Sequence, residues 1–295
     1  MKPFSVLTMI LALSASVLVS PCLTQGKEAH AAGFTSDNKI ERAQKLFFSD
    51  QYEEAEKIFR DSLAANPDDA ETMAWLAQTL AYKMGEQAKR GASKLSLISD
   101  GAELKSLYTK AYKLDPKNER AMLGYAILLR DLPGLLGGDL DEAETILSNL
   151  IEENPEKVLA YHHLGNLYIR KKEDYQKGLH FLKRALEIAK EKELTDEESF
   201  YLNHTYHSIG KTYLEELDEP QQALDYISKA LELKPEFPLA MLDLTEAYRQ
   251  LDQLDQAKSL LFKTVAYCKE HKYKMYYSDI KKSARQLKVS SEIDL

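Results

Sequence analysis

Prolines punctuate this chain at a spacing that leaves little freedom in its fold. Ala-Asn-Pro67, Leu-Asp-Pro116, Glu-Asn-Pro155 and Leu-Lys-Pro235 each close the second member of a pair of short, Ala-rich amphipathic segments. The four prolines stand 49, 39 and 80 residues apart. A two-helix unit of about 34 residues accounts for these gaps, with 15, 5 and 12 residues left over. The excess has independent homes: residues 86–104, residues 133–139 and, for most of the 12, residues 193–202. One helix pair cannot bury its own apolar face, so such units must stack.

Slots within the units agree in register. The small residue of each first helix reads Ala43, Ala77, Ala126, Gly165, Gly210 and Thr245, followed three residues later by Leu46, Leu80, Leu129, Tyr168, Tyr213 and Tyr248. Second helices carry Ala55, Leu104, Ala143, Gly178, Ala223 and Ala257, and four residues on, along the same helical face, Phe59, Tyr108, Leu147, Leu182, Ile227 and Leu261. This alternation of small and large residues resembles the tetratricopeptide repeat over residues 36–268. The resemblance implies an all-α fold: six stacked helix pairs, at about 36–69, 70–118, 119–157, 158–192, 203–237 and 238–268, forming a right-handed superhelical solenoid within residues 32–268. Lys39 and Arg42 stand at slots that are usually apolar, as on a water-facing end. Leu104 stands where a small residue is usual. Residues 269–288 read as one further helix, with Tyr273, Tyr276, Tyr277, Ile280, Ala284 and Leu287 spaced to cover the last apolar face, so that 269–295 form a capping helix and tail. At Gly210 this register predicts that Ala is tolerated and Leu is not.

The first residues are set aside from the fold. Phe4 to Val19 is a run of 16 residues without a charge, short for a bilayer span of about 20 but suited to the core of an export signal. Ala29-His30-Ala31 offers a cleavage site, which makes residues 1–31 a signal peptide and the mature protein periplasmic or secreted. Lipidation at Cys22 and an uncleaved anchor are the alternatives, and they are the routes by which the chain would attach to a membrane. The formal charge is −8, from 39 basic and 47 acidic residues, which argues against nucleic acid as a partner. Cleavage would leave Cys268 alone, and it reads as a buried small hydrophobe.

Chemistry-bearing motifs are few. Gly210-Lys211-Thr212 ends like a phosphate-binding loop, but Thr205 stands where that motif needs Gly and the segment reads as mid-helix. Asp139 and Glu142 read as a helix cap after a loop, Leu132-Pro133-Gly134-Leu135-Leu136-Gly137-Gly138, richer in glycine and exposed leucine than a helix turn requires. Similar turns occur in bacterial envelope repeat proteins, including some associated with transport systems. No nucleophile–base pair or paired carboxylates stand out, so no catalytic residue, metal or cofactor is assigned.

The family resemblance implies groove-lining slots on the first helices. Carried onto this chain they are Arg120, Leu123, Ile127, Arg130 and Asp131; then Leu159, His162, Asn166, Ile169 and Arg170; then His204, His207, Lys211, Leu214 and Glu215. Three imidazoles suit metal binding, but neither an HExxH motif nor a Cys pair accompanies them, and a polar lining is the better reading. Some relatives grip a terminal carboxylate with a Lys/Asn clamp. Asn166 fits one clamp slot, while His162 replaces the Lys and Lys211 the next Asn, so that clamp is not carried over. The expected function is an exported, non-enzymatic scaffold holding a protein or peptide, with an acidic segment or a C-terminal carboxylate suited to the basic slots. The alternative is a small-ligand- or metal-binding accessory of an envelope transport system.

Overall fold

The structure, a computed structural model, describes residues 36–295; the export run, Cys22 and the Ala31 cleavage site lie outside the described residues. Among the described residues there are thirteen α-helices and no strand. They divide into two compact units, the first comprising residues up to Glu86 plus Ser93–Ile146, the second Gln87–Ala92 plus Leu147–Leu295.

The first unit holds α1 (Ser36–Phe48), α2 (Tyr52–Ala65), most of α3 (Ala70–Lys89), α4 (Lys94–Leu114), α5 (Glu119–Asp131) and the start of α6 (Leu140–Glu153). Ala43, Ala55, Ala77, Ala126 and Ala143 are all fully buried, as close helix approach at the small slots requires. Around them Phe47 meets Tyr82 and Trp75 edge-on at 4.9 and 5.6 Å, and Phe59 stacks on Trp75 at 5.9 Å. The extra residues at 86–104 do not form a loop. They lengthen α3 and α4 to 20 and 21 residues, and Leu104 is buried within the longer helix. Gly124 also has a packing role: a Cβ there would lie 1.9 Å from Cε1 of Tyr108, so this ring lies flat against the α5 backbone.

The loop after α5 is built tightly. Gly134–Leu136 makes one 3₁₀ turn, and Gly137 follows in the left-handed region at φ +92. The Gly138 backbone lies so close to Leu132 that a Cβ would fall 1.9 Å from its carbonyl oxygen. Asp139 accepts from the N–H groups of Asp141 and Glu142, capping α6, and the Lys105 ammonium donates to the Leu136 carbonyl at 2.6 Å. This frame leaves Leu135 97% exposed.

In the second unit, α7 (Val158–Leu167) and α8 (Tyr175–Glu191), α9 (Asp196–Glu215) and α10 (Pro220–Leu233), and α11 (Pro238–Gln250) and α12 (Leu254–Glu270) form three hairpins before α13 (Tyr277–Gln286). The first helices touch in succession, α7 to α9, α9 to α11 and α11 to α13, and so form one row. Gly165 and Gly178 bring α7 and α8 together backbone to backbone: a Cβ added to either would lie 2.8–2.9 Å from the other's carbonyl oxygen. At Gly210 a Cβ would sit 2.5 Å from Ile227 Cγ1, 3.0 Å from its nitrogen and 3.1 Å from the Ala223 carbonyl oxygen. Even Ala is therefore too large, a correction to the tolerance expected from sequence. The same glycine lies mid-helix in α9, which leaves no turn for a phosphate loop.

Two boundaries differ from the sequence reading. Most of 193–202 joins α9, which starts at Asp196 behind a reciprocal cap between Thr195 and Glu198. The helix expected over 269–288 is broken: α12 runs through Glu270, Lys272 turns left-handed at φ 58, a 3₁₀ turn spans Lys274–Tyr276, and α13 follows. Ile280, Ala284 and Leu287 still bury against the last hairpin. Cys268 is fully buried, and burial pushes its thiol up to about 12.

Candidate functional site

The slots named from sequence fall in different units, Arg120, Leu123, Ile127, Arg130 and Asp131 in the first and the remainder in the second. Arg120 is held within its unit. Its guanidinium carbon lies 3.6 Å from the centre of the Trp75 ring, and its nitrogens donate to Glu71 at 2.9 Å and Gln78 at 2.9 Å. Arg130 makes a two-pronged pair with Asp131, at 2.9 and 2.8 Å, with side chains 4% and 1% exposed. A buried charge needs such a partner. Leu123 is buried and Ile127 half-buried. Arg130 and Asp131 are thus internal structure and not a displayed lining, a correction to the sequence reading.

In the second unit the polar slots knit successive first helices together. Thr205 on α9 donates its hydroxyl proton to the Tyr201 carbonyl at 3.1 Å and therefore accepts from Nδ1 of His162 on α7, at 2.9 Å. The other ring nitrogen of His162 accepts from Asn166 Nδ2 at 3.2 Å, and that amide also donates to the His162 carbonyl at 2.9 Å. His162 is accordingly a neutral imidazole with its proton on Nδ1. One repeat on, Nε2 of His207 on α9 meets Oδ2 of Asp243 on α11 at 2.7 Å. Lys211 stands 3.7 Å from the same oxygen and 2.6 Å from Glu215. Burial works to raise the Asp243 pKa, but the Lys211 charge and the His207 hydrogen bond outweigh it and hold the carboxyl below its usual range. Burial likewise opposes the Lys211 charge, and Asp243 and Glu215 overcome it, raising that pKa.

His162, Asn166, His204 and His207 are all buried, where the sequence reading had them lining a wet groove. The cause is the segment over 193–202. Folded as the start of α9, it lays Tyr201 edge-on at 5.3 Å against both His162 and His163. Phe237, at the entry to α11, covers His204 and His207 at 5.1 and 4.9 Å. Nε2 of His204 is buried without a hydrogen-bond partner. Burial, and then the Lys234 charge, push its pKa well below the usual value. Ile169 is displaced from the slot it was assigned. The wide π turn at Tyr168–Lys172 shifts the register after Leu167, and Ile169 packs on Gly178. What stays accessible is Arg170, exposed on that turn, with Lys211 and Glu215 one helix along. The Arg170 charge works against that of Lys211.

Sequence reasoning missed Thr205, Asp243, Phe237 and Lys234. Asp243 lies off the family's groove slots, and the lysine carried no motif. Among the described residues no group of three metal-ligating side chains converges, and no helix is long and apolar enough to cross a membrane.

Models of the tetratricopeptide repeat match residues 156–236 and 214–267. Together with the stacked helix hairpins, these matches show that residues 156–267 are built of tetratricopeptide repeats. A search of curated protein sequences gave no match. Among solved structures the chain is similar to TTC0263, a thermophilic tetratricopeptide-repeat protein of Thermus thermophilus, with 21% identity over 72% of this chain and 98% of that one, and a TM-score of 0.52. It is similar also to pilF of Pseudomonas aeruginosa, with 15% identity over 83% and 97% and a TM-score of 0.52. Likeness to a chain of the APC/C hetero-tetramer Cut9–Hcn1 has a TM-score of 0.61 and 15% identity, over 86% of this chain but only 42% of that one. At these identities the likeness is one of fold. Repeats of this family generally serve as non-catalytic scaffolds for protein–protein interaction.

Proposed function

We propose that this protein is an exported scaffold that holds an acidic segment or chain end of a protein partner along the first-helix row of its second unit. The carrying observation is the pair of accessible cations, Arg170 and Lys211, on neighbouring first helices of a chain with net charge −8. Lys211 already faces Glu215, but that pair is 39% and 47% exposed, and an exposed ion pair contributes only about 0–1 kcal/mol. A partner carboxylate can take the place of Glu215 at little cost. Like-signed cations on a rigid row steer an acidic partner and fix its register. Arg130 has no part in this, being buried with Asp131.

Export is supported by the uncharged run from Phe4 to Val19. Mass spectrometry of the native N-terminus tests it: a mature chain from Ala32 is expected, and a diacylated Cys22 overturns the soluble form. The groove is tested by partner capture with Arg170→Glu, Lys211→Glu and, as a control on the exposed face of α8, Lys190→Glu. The expected result is one defined partner, retained by the control, lost by both groove variants and released at high salt. Capture that survives both groove variants and high salt overturns the assignment.

A further inference from the structure

Charge is segregated toward the end of this chain. Residues 272–288 hold Lys272, Lys274, Lys281, Lys282, Arg285 and Lys288 against one acid, Asp279, a net +5 that leaves −13 for the remainder of a chain of net −8. All six cations are exposed. They form no ion pair among the described residues, and Arg285 Nε donates instead to the Lys281 carbonyl at 3.1 Å. Two neighbouring acids are engaged elsewhere. Asp294 pairs with Lys269 at 3.3 Å, and Glu246, which feels the Lys282 charge, pairs with Arg249 at 2.6 Å. Ile280, Ala284 and Leu287 bury one face of α13, which turns Lys281, Lys282 and Arg285 to water.

A capping helix needs a polar outer face, but mixed charge meets that need, as where α1 pairs Glu41 with Lys45 at 2.5 Å. Helix dipoles favour a cation at a C-terminal corner. Yet among the described residues the other non-glycine left-handed corners carry Asp50, Glu173, Asp218 and Asp252, and the two of the cap carry Lys272 and Lys288. Capping alone does not account for charge of one sign. No large apolar side chain of the described residues is exposed over 269–295. A protein interface draws on an apolar core, whereas a basic face binds anionic headgroups through charge alone. Export through the segment read at Phe4–Val19 would bring the chain to a bilayer. We propose that the C-terminal cap docks on anionic phospholipid through these six cations. Each Lys or Arg near such a surface is worth about fivefold in affinity. This face stands apart from Arg170 and Lys211 and does not rest on the protein-binding reading.

The test is co-sedimentation of the purified protein with vesicles of phosphatidylcholine alone and of phosphatidylcholine mixed with phosphatidylglycerol. Binding to the mixed vesicles only, lost as salt screens the charge, is expected. Lys281→Gln, Lys282→Gln and Arg285→Gln together should weaken it about a hundredfold. Lys272→Gly with Lys288→Gly should weaken it about twentyfold. Glycine suits both left-handed corners, so the fold stands in that variant. The control, Lys117→Gln with Lys190→Gln and Lys229→Gln, lowers the net charge as far as the triple cap variant does, at exposed lysines elsewhere, and should bind as the wild type does. Equal binding to phosphatidylcholine alone, no binding to either vesicle, retained binding in either cap variant, or an equal loss in the control each overturns the proposal. So does binding of duplex DNA or polyglutamate as tight as that of the mixed vesicles. None of these variants alters Arg170 or Lys211, so vesicle binding and partner capture fail separately.

Discussion

Replacing Gly210 with Ala should destabilise the protein, although Ala is the better helix former. In a helix interior the exchange gains about 1 kcal/mol of propensity. Against this, the new Cβ would lie 2.5 Å from Ile227 Cγ1, and 3.0 and 3.1 Å from the Ile227 nitrogen and the Ala223 carbonyl oxygen. Two of these three are backbone atoms of α10, and the third belongs to a β-branched side chain that is fully buried. None can swing aside, so α9 and α10 must separate. Overpacking of this kind costs about 1–3 kcal/mol. With backbone as the obstacle, the upper part of that range applies and the net loss is about 1–2 kcal/mol after the propensity gain. At about 2–4 °C per kcal/mol for a unit of this size, the melting temperature should fall by several degrees. Gly101→Ala is the internal control, because the nearest atom to its added Cβ is the flexible Met84 Cε at 3.5 Å. That variant should gain about 0.5–1 kcal/mol. Urea and thermal unfolding followed by circular dichroism measure both. If Gly210→Ala matches or exceeds the wild type in stability, the close approach of α9 and α10, and with it the repeat register, is wrong.

Other consequences follow from the same geometry. His204 has a depressed folded-state pKa, so below pH ~6.5 the unfolded chain takes up a proton that the folded one refuses, and stability falls with pH by up to about 1.4 kcal/mol per unit. Urea midpoints at pH 7.5, 6.5 and 5.5 should show this slope in the wild type and a shallower one in His204→Leu; equal slopes would contradict it. Arg130→Ala removes the two-pronged partner of a carboxyl that is 1% exposed and should cost about 3–5 kcal/mol in urea unfolding; a loss below about 1 kcal/mol would show that Asp131 has relief elsewhere. In the loop after α5, Gly138→Ala forces a contact of 1.9 Å with the Leu132 carbonyl oxygen and should lower the melting temperature more than Gly210→Ala. Leu135→Ser, at a side chain 97% exposed, should change stability by no more than about 0.5 kcal/mol, and a larger loss would mean that Leu135 is packed in solution.

The repeat period was legible because it rests on local rules. Small residues at Ala43, Ala77, Ala126, Gly165 and Gly210 mark where helices must approach, and each of them is buried in the structure. The form that the extra residues take was not legible. Counting against a period shows where residues are surplus, not that 86–104 would extend α3 and α4 or that Thr195 and Glu198 would cap a longer α9. The candidate site was legible as a set of slots but not as an environment. Whether His162 and His207 face water depends on Thr205 and Asp243, each supplied by the next repeat, and on Tyr201 and Phe237 lying across them. These are contacts between residues 30–43 positions apart, beyond what helical spacing encodes. Ile169 was lost to the π turn at Tyr168–Lys172, which no periodic count anticipates.

The central claim is that the first-helix row of the second unit is the face that holds a protein partner. The most direct measurement is site-specific photocrosslinking in the native host, with a photoreactive side chain in place of Glu215 and, separately, in place of Lys190 on the second-helix side. Both positions are exposed. The account predicts a discrete adduct with one exported protein from position 215 and none from position 190. An adduct formed from position 190 and not from 215 would contradict it.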